Sequence, residues 1–408
     1  MQQFYIETVG CQMNVLDSEL ASAALLRAGL QQAESLADAD VILYNTCSVR
    51  QHAEDKVYSA LGRLKHWKQE KPNSVLGVLG CMAQKDQKLI FQRAPLVDFV
   101  LGPGRLDLLA ETIDQLLNVT PRPTKTVCAS LHRATNEHAE VLESFRQYNP
   151  ERTVQDDTSP SLVRIMFGCN QFCSYCVVPF VRGPEQSRPP QDIVNEVQHL
   201  AGQGVTHITL IGQTVNSYRY QEGDKQTRLA DLLYQLSAIT GIEQIDFVTN
   251  YPVDMDNDLL QAVRDLPQVS KHLHIPAQSG SDAVLARMNR HYTAGQYREL
   301  TDRIGSTIPG ATMTSDFIVG FCGETETDFD QTVDLVKYCR FRNSFIFKYS
   351  ERPGTKAAEL YTDDIPEDVK KYRNNRLLEV QIEISRQQNM IVESLPRWNR
   401  HPDTSNSS

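Results

Sequence analysis

From residue 4 onward, short apolar runs alternate with longer amphipathic stretches, and this alternation constrains the fold more than any other feature. Residues 4–9, 41–45 and 75–79 read as strands, and 17–28, 54–69, 84–91 and 106–117 as helices, with Gly29 placed to end the first. Strands spaced by helices imply βαβ units and a parallel sheet. A second series starts at Ser161, with strands expected at 162–167, 207–211, 244–248, 272–275, 314–319 and 345–348. Helices fall between them, near 192–202, 229–239, 255–266, 283–288, 294–304 and 326–338. Six βα units are too few for a closed eight-stranded barrel, so a partial barrel with a lateral opening is expected. The fold class is thus α/β: an N-terminal open parallel α/β sheet domain (1–119) plus a six-unit partial (βα) barrel (161–375). Between them, 120–160 reads as a linker broken by Pro121 and Pro123, and 376–408 as a helical stub with a polar, disordered tail.

Cysteine placement gives this scaffold its chemistry. Each of the first three strands runs into a cysteine, at Gly10-Cys11, Thr46-Cys47 and Gly80-Cys81, about one βαβ repeat apart. Ligands of open α/β sheets sit outside the carboxyl ends of the strands, so these three thiols are expected to converge. The alternative is that cysteine, a commonly buried residue, falls at strand ends by chance. A second set, Cys169, Cys173 and Cys176, follows the apolar run 162–167 with gaps of three and two residues. One tight loop of this spacing can wrap an iron–sulfur cube. Such cubes are normally held by four thiolates, so three would leave one iron open, as a catalytic site needs. A zinc site completed by a distant ligand is the competing reading. Cys128, Cys322 and Cys339 read as thiols without a role.

The chain has 408 residues, long enough for sizeable cores, and a net charge of −10, which argues mildly against a nucleic-acid partner. Three basic stretches could hide a local phosphate-binding face or be ordinary solvated surface: Arg63–Lys71, Arg287–Arg303 and Lys348–Lys356. No apolar run is long enough to span a bilayer, and the strand at residue 4 leaves no room for a signal peptide. A cytoplasmic location with reduced thiols is therefore expected.

The loops after the later strands are polar and glycine-bearing: 212–216, 275–281, 320–325 and 349–355. On the face that carries the cysteine loop, their donors and acceptors suit a ligand with an amino acid and a ribose.

The motifs resemble a known family. CxxxCxxC, with Tyr175 before its last cysteine, is similar to the radical S-adenosylmethionine (SAM) signature. Thr8 to Asn14, Asp17-Ser18-Glu19, Asn45-Thr46-Cys47, Gly80 to Gln84, Gly168 to Phe180, Gln278 to Ser281, Met288-Asn289-Arg290 and Tyr349 to Thr355 resemble the MiaB-type methylthiotransferases. The resemblance implies conversion of an isopentenylated adenosine beside the tRNA anticodon to its 2-methylthio derivative. It implies two [4Fe–4S] clusters and SAM as cofactors. Cys169, Cys173 and Cys176 would hold the catalytic cluster that binds and cleaves SAM, and Cys11, Cys47 and Cys81 an auxiliary cluster that carries the sulfur. Gln213, Ser279, Ser281, Gly320 and Glu324 are placed like SAM contacts, and Arg290 and Arg352 like tRNA contacts. A low-potential electron donor and a sulfur source would be partners, the protein being a monomer without a membrane. The family usually ends in a small RNA-binding β-barrel, the TRAM domain; too few residues follow the helical stretch 370–388 to build one, so it is expected to be missing. A ribosomal-protein aspartate methylthiotransferase and a non-catalytic iron–sulfur protein are the alternatives; Gln12-Met13-Asn14 favours the tRNA branch.

Overall fold

The fold comes from a computed structural model that describes residues 2–48, 51–119, 121, 125–129 and 160–394. The chain divides into two compact units, Met1–Phe172 with Cys176–Phe247, and Cys173–Tyr175 with Val248–Ser408.

In the first unit, β1 (Gln3–Val9), β2 (Gln31–Gln32), β3 (Val41–Thr46), β4 (Val75–Gly80), β5 (Phe99–Leu101) and β6 (Thr126–Cys128) form one parallel sheet. Its order is β2-β1-β3-β4-β5-β6. Every residue of β3 and β4 is buried, as central parallel strands covered on both faces require. Ile42, Tyr44, Leu76 and Val78 pack against Val57, Leu61, Met82 and Ile90 from the flanking helices. The first helix, Gln12–Arg27, starts five residues before the sequence suggests, because Cys11 and Asn14 cap it. Thr126–Cys128 is not linker: it pairs with β5 as the edge strand, with Gly102 N donating to Cys128 O at 2.9 Å. Strands of two or three residues carry no legible period, so β2, β5 and β6 were not expected. Of the expected linker, residues 120, 122–124 and 130–159 lie outside the described residues, as does 395–408 of the tail.

The apolar run 162–167 splits at Ile165 into β7 (Ser161–Arg164) and β8 (Met166–Phe167), which pairs antiparallel with β9 (Gln186–Ser187). β7 joins β10 (His207–Ile211) and β13 (Gln244–Phe247) in a parallel sheet, and β11 (Arg219–Glu222) with β12 (Lys225–Arg228) forms a hairpin. In the second unit, β14 (His272–His274), β15 (Thr312–Val319) and β16 (Asn343–Lys348) form a second parallel sheet. The C-terminal helix runs Glu367–Ser394, so the expected boundary near 375 falls inside it. Leu377 is fully buried, and Gln381 donates to Phe341 O at 2.8 Å while accepting from Ser344 Oγ at 2.9 Å. No helix among the described residues is long and apolar enough to cross a membrane.

Candidate functional site

Strand register sets the first group of thiols. Val9 lies opposite Thr46, and Thr46 opposite Gly80, so β1, β3 and β4 end level. Cys47 and Cys81 are the next residues of β3 and β4, and Cys11 follows β1 after Gly10. Gly80 makes the turn possible: its φ is +89°, and a Cβ there would meet Thr46 O at 2.5 Å. Two asparagines brace the strand ends. Asn14 Nδ2 donates to Asn45 Oδ1 at 3.1 Å and Thr46 O at 3.2 Å, and Asn45 Nδ2 donates to Asn14 O at 2.8 Å. Asn14 Oδ1 also takes the Cys11 amide and thiol, each at 3.3 Å. The asparagines of the two motifs are therefore builders of the thiol platform.

The thiols differ electrostatically. A hydrogen bond with Cys47 pulls the Cys11 thiol down to about 5, against burial, with Arg182 assisting. Burial pushes Cys81 up, and the Arg182 cation works against it. Arg182 is 2% exposed; its Nε donates to Cys81 Sγ at 3.3 Å and its Nη2 to Asp17 Oδ2 at 2.8 Å. Its Nη1 is buried and finds no hydrogen-bond acceptor among the described residues. The other Asp17 oxygen takes Arg164, itself buried. A buried cation with an idle N–H beside three thiols suits an anionic group bearing sulfur acceptors, which is what a thiolate-held cluster offers. No three Cys, His, Asp or Glu side chains among the described residues form the shell of a single metal ion.

The second group lies on the loop after β8. Gly168 has φ +76°, and a Cβ would strike Pro184 O at 1.9 Å, so only glycine makes this turn. In the first unit, Cys169 Sγ is 3.4 Å from Thr214 Oγ1 and accepts the Gln171 amide at 3.5 Å. In the second unit, Cys173 Sγ accepts from Arg290 Nη1 at 3.3 Å. Ser174 is pinned there by its amide to Met288 O at 3.0 Å and its hydroxyl to Arg287 O at 2.8 Å. Tyr175 packs edge-on against Phe321.

The expected SAM contacts are not alike. Gln213, just after β10, has both side-chain amide atoms buried without a partner among the described residues, an idle donor and acceptor beside Gly212. Ser279 and Ser281 are differently used. Ser279 Oγ lies 3.2 Å from Thr332 Oγ1, and Ser281 caps the helix Asp282–Arg287 and bonds Asp328. Both hydroxyls are engaged inside the protein, so they shape the loop. Gly320 donates its amide to Glu324, whose carboxylate also meets Arg373 Nη1 at 2.9 Å.

The basic stretches are largely consumed internally. Lys68 pairs with Asp98 at 2.6 Å, Lys71 caps Ala39 O at 3.0 Å, and Arg303 donates to Met255 O at 2.7 Å. Arg290, expected to face tRNA, has its guanidinium on Cys173, Pro276 O and the Tyr292 hydroxyl, and Arg352 is buried. Sequence reasoning passed over Asp17, Arg164 and Arg182 as a unit. The available signal was Arg164, a charge inside an otherwise apolar strand.

Sheet, thiols and loops together define a class: residues 163–336 match the radical SAM superfamily, and residues 3–102 match the uncharacterized protein family UPF0004. A tRNA-2-methylthio-N(6)-dimethylallyladenosine synthase of Rhodopirellula baltica is 52% identical over 387 residues, covering 94% of this chain and 80% of that protein. One of the same name from Syntrophotalea carbinolica is 42% identical over 389 residues, covering 95% and 85%. The chain belongs to the tRNA-2-methylthio-N(6)-dimethylallyladenosine synthase family. Among solved structures, the radical SAM methyltransferase TsrM from Kitasatospora setae aligns with a TM-score of 0.61 at 12% identity, over 88% of this chain and 75% of that one. The cobalamin-dependent radical SAM enzyme OxsB aligns at 0.57 and 12% identity, over 93% and 56%. These two likenesses are of fold.

Proposed function

We propose that this protein is a radical SAM methylthiotransferase that converts N6-isopentenyladenosine beside the tRNA anticodon to its 2-methylthio derivative. The observation that carries this reading is the pair of three-cysteine sets, each with an arginine on one sulfur: the buried Arg182 on Cys81 and the half-buried Arg290 on Cys173. A simple electron carrier holds each cluster with four thiolates, whereas three leave an iron open, and the relatives' name supplies the substrate.

Cys169, Cys173 and Cys176 would hold one [4Fe–4S] cluster, and Cys11, Cys47 and Cys81 the other. With SAM bound, these groups supply reductive SAM cleavage at the first and a sulfur source at the second. The protein's own part is positioning. Gly168 permits the tight entry to the cysteine loop, and Thr214 stands beside Cys169. Gln213 offers its idle amide to the amino-acid end of SAM, while Ser279, Ser281, Gly320 and Glu324 hold the ligand-facing loops of the second unit in shape. Cys47 and Cys81 of that set are buried, while Cys11 stands at its exposed edge. A low-potential electron donor and a sulfur source serve the enzyme, which works as a cytoplasmic monomer.

The test is anaerobic. Reconstitution with iron and sulfide should give about eight irons per chain, falling to about four when Cys11, Cys47 and Cys81 are all changed to alanine. The reconstituted enzyme, given reductant, SAM and isopentenylated tRNA, should yield the methylthiolated nucleoside by mass spectrometry. Only about four irons in the unaltered chain would refute the second cluster. Modified ribosomal protein beside unmodified tRNA would overturn the substrate.

A further inference from the structure

Asp17 is separated from Arg182 by most of two sequence segments, yet the pair is among the most buried in the first unit, each at most 2% exposed. The Asp17 carboxylate is clamped by two guanidinium groups, one oxygen on Arg164 and the other on Arg182 Nη2 at 2.8 Å. Asp17 is thus shared between two cations, and a buried cation only partly answered is costly away from water. Arg182 shows where that answer lies. Its Nε is already on Cys81 Sγ at 3.3 Å, its Nη1 is idle among the described residues, and Cys81 packs with Val177 and Val181, which precede Arg182 in the chain. Phe167 lies against both arginines, with ring centroids 5.7 Å from Arg164 and 5.6 Å from Arg182, closing that side to water.

We propose that Arg182, aimed by Asp17, is a positioning residue that stabilises the electron-rich state of the group held by Cys11, Cys47 and Cys81. It does so by placing one desolvated positive charge, and the N–H groups at Nε and Nη1, against the sulfur atoms there. The inference rests on the cluster reading above. A charge at contact distance in a dry site acts far more strongly than one in water. It favours whichever redox state carries more negative charge, and N–H···S bonds to the sulfurs work in the same direction. Asp17 has the opposite effect: it orients Arg182 but offsets part of its charge. The two residues should therefore shift the potential in opposite directions, which a merely structural role would not do.

The experiment uses the full chain carrying Cys169, Cys173 and Cys176→Ala, so that one cluster remains. After anaerobic reconstitution, iron is counted and the midpoint potential is measured by electron paramagnetic resonance during stepwise reduction with dithionite and low-potential mediators. Each step adds one electron to iron and makes or breaks no bond. Arg182→Gln should shift the midpoint to a more negative value, Arg182→Lys should restore part of it, and Asp17→Asn should shift it to a more positive one. An unmoved potential in a folded, iron-loaded Arg182→Gln variant overturns the proposal. Should that variant fail to fold or to hold iron, Asp17→Asn decides alone: an unchanged or lowered midpoint overturns the proposal. A parent chain that holds about four irons with unmoved potentials defeats this proposal alone. One that holds none defeats the cluster reading and this proposal with it.

Discussion

Glu324 shows how one buried side chain sets a pH dependence. Its carboxylate accepts the Gly320 amide and meets Arg373 at 2.9 Å, yet burial dominates and pushes it from 4.5 up to about 7. The folded state therefore prefers the protonated form. Stability from this group is fully present below about pH 4.5 and declines as pH rises through about 7. Glu324→Gln cannot ionise and should lack that decline. The stability of the unaltered protein relative to the variant should fall by on the order of 3 kcal/mol between pH 4.5 and 7.5, read from urea unfolding at several pH values. A difference that stays flat with pH would show that Arg373 holds Glu324 ionised throughout. Arg182 belongs to the same scale: what it does depends on Cys81 and Asp17, and on nothing its neighbours in sequence reveal.

At the scale of elements, Asp328 joins two helix starts. It completes the capping box of Glu326–Cys339, taking the Thr325 amide at 2.9 Å and its hydroxyl at 2.7 Å, and its other oxygen takes Ser281 at the start of Asp282–Arg287. Burial raises its carboxyl, but these hydrogen bonds outweigh burial and hold it below the usual range. Asp328→Ala should unsettle both helix starts, with a loss of about 2 kcal/mol. Removing only the hydroxyl partner, by Ser281→Ala, should cost less. Equal losses in the two variants would mean that the Thr325 cap contributes nothing. Asp328 also holds, through Ser281, the loop that carries Ser279, so weakened SAM binding in Asp328→Ala would reflect a displaced loop. The cysteine loop follows a similar logic, since Gly168 permits its turn and Ser174 pins its middle.

At the scale of the molecule, the C-terminal helix is part of the second unit's core. Leu377 is fully buried, Gln381 and Ser344 bond at 2.9 Å, and Arg373 reaches Glu324 from this helix. Leu377→Ala should cost about 3 kcal/mol through lost contacts and the cavity left behind. Because the chain clusters into two units, hydrogen exchange should show lost protection in β14, β15 and β16, with β1, β3 and β4 unaffected. Uniform loss of protection would show that the units unfold together.

What the sequence determined by itself was whatever local periodicity and spacing can encode. Residues 41–45 and 75–79 read as strands of a parallel sheet because apolar side chains dominate them, and the structure buries both strands throughout. Cys11, Cys47 and Cys81 read as level because each lies just past its strand end, and Cys169, Cys173 and Cys176 read as one group because a single short loop carries them. Only the tertiary structure decided which polar groups would be spent and which left idle. Ser279 and Ser281 are occupied by Thr332 and Asp328, Arg290 turned to Cys173, and Gln213 kept an amide unpaired among the described residues. Those outcomes depend on partners tens of residues away, and so do the Asp17, Arg164 and Arg182 clamp and its approach to Cys81. A residue's own neighbourhood in sequence fixes its secondary structure, but its hydrogen-bond partner in a buried site is fixed by what the rest of the chain brings there.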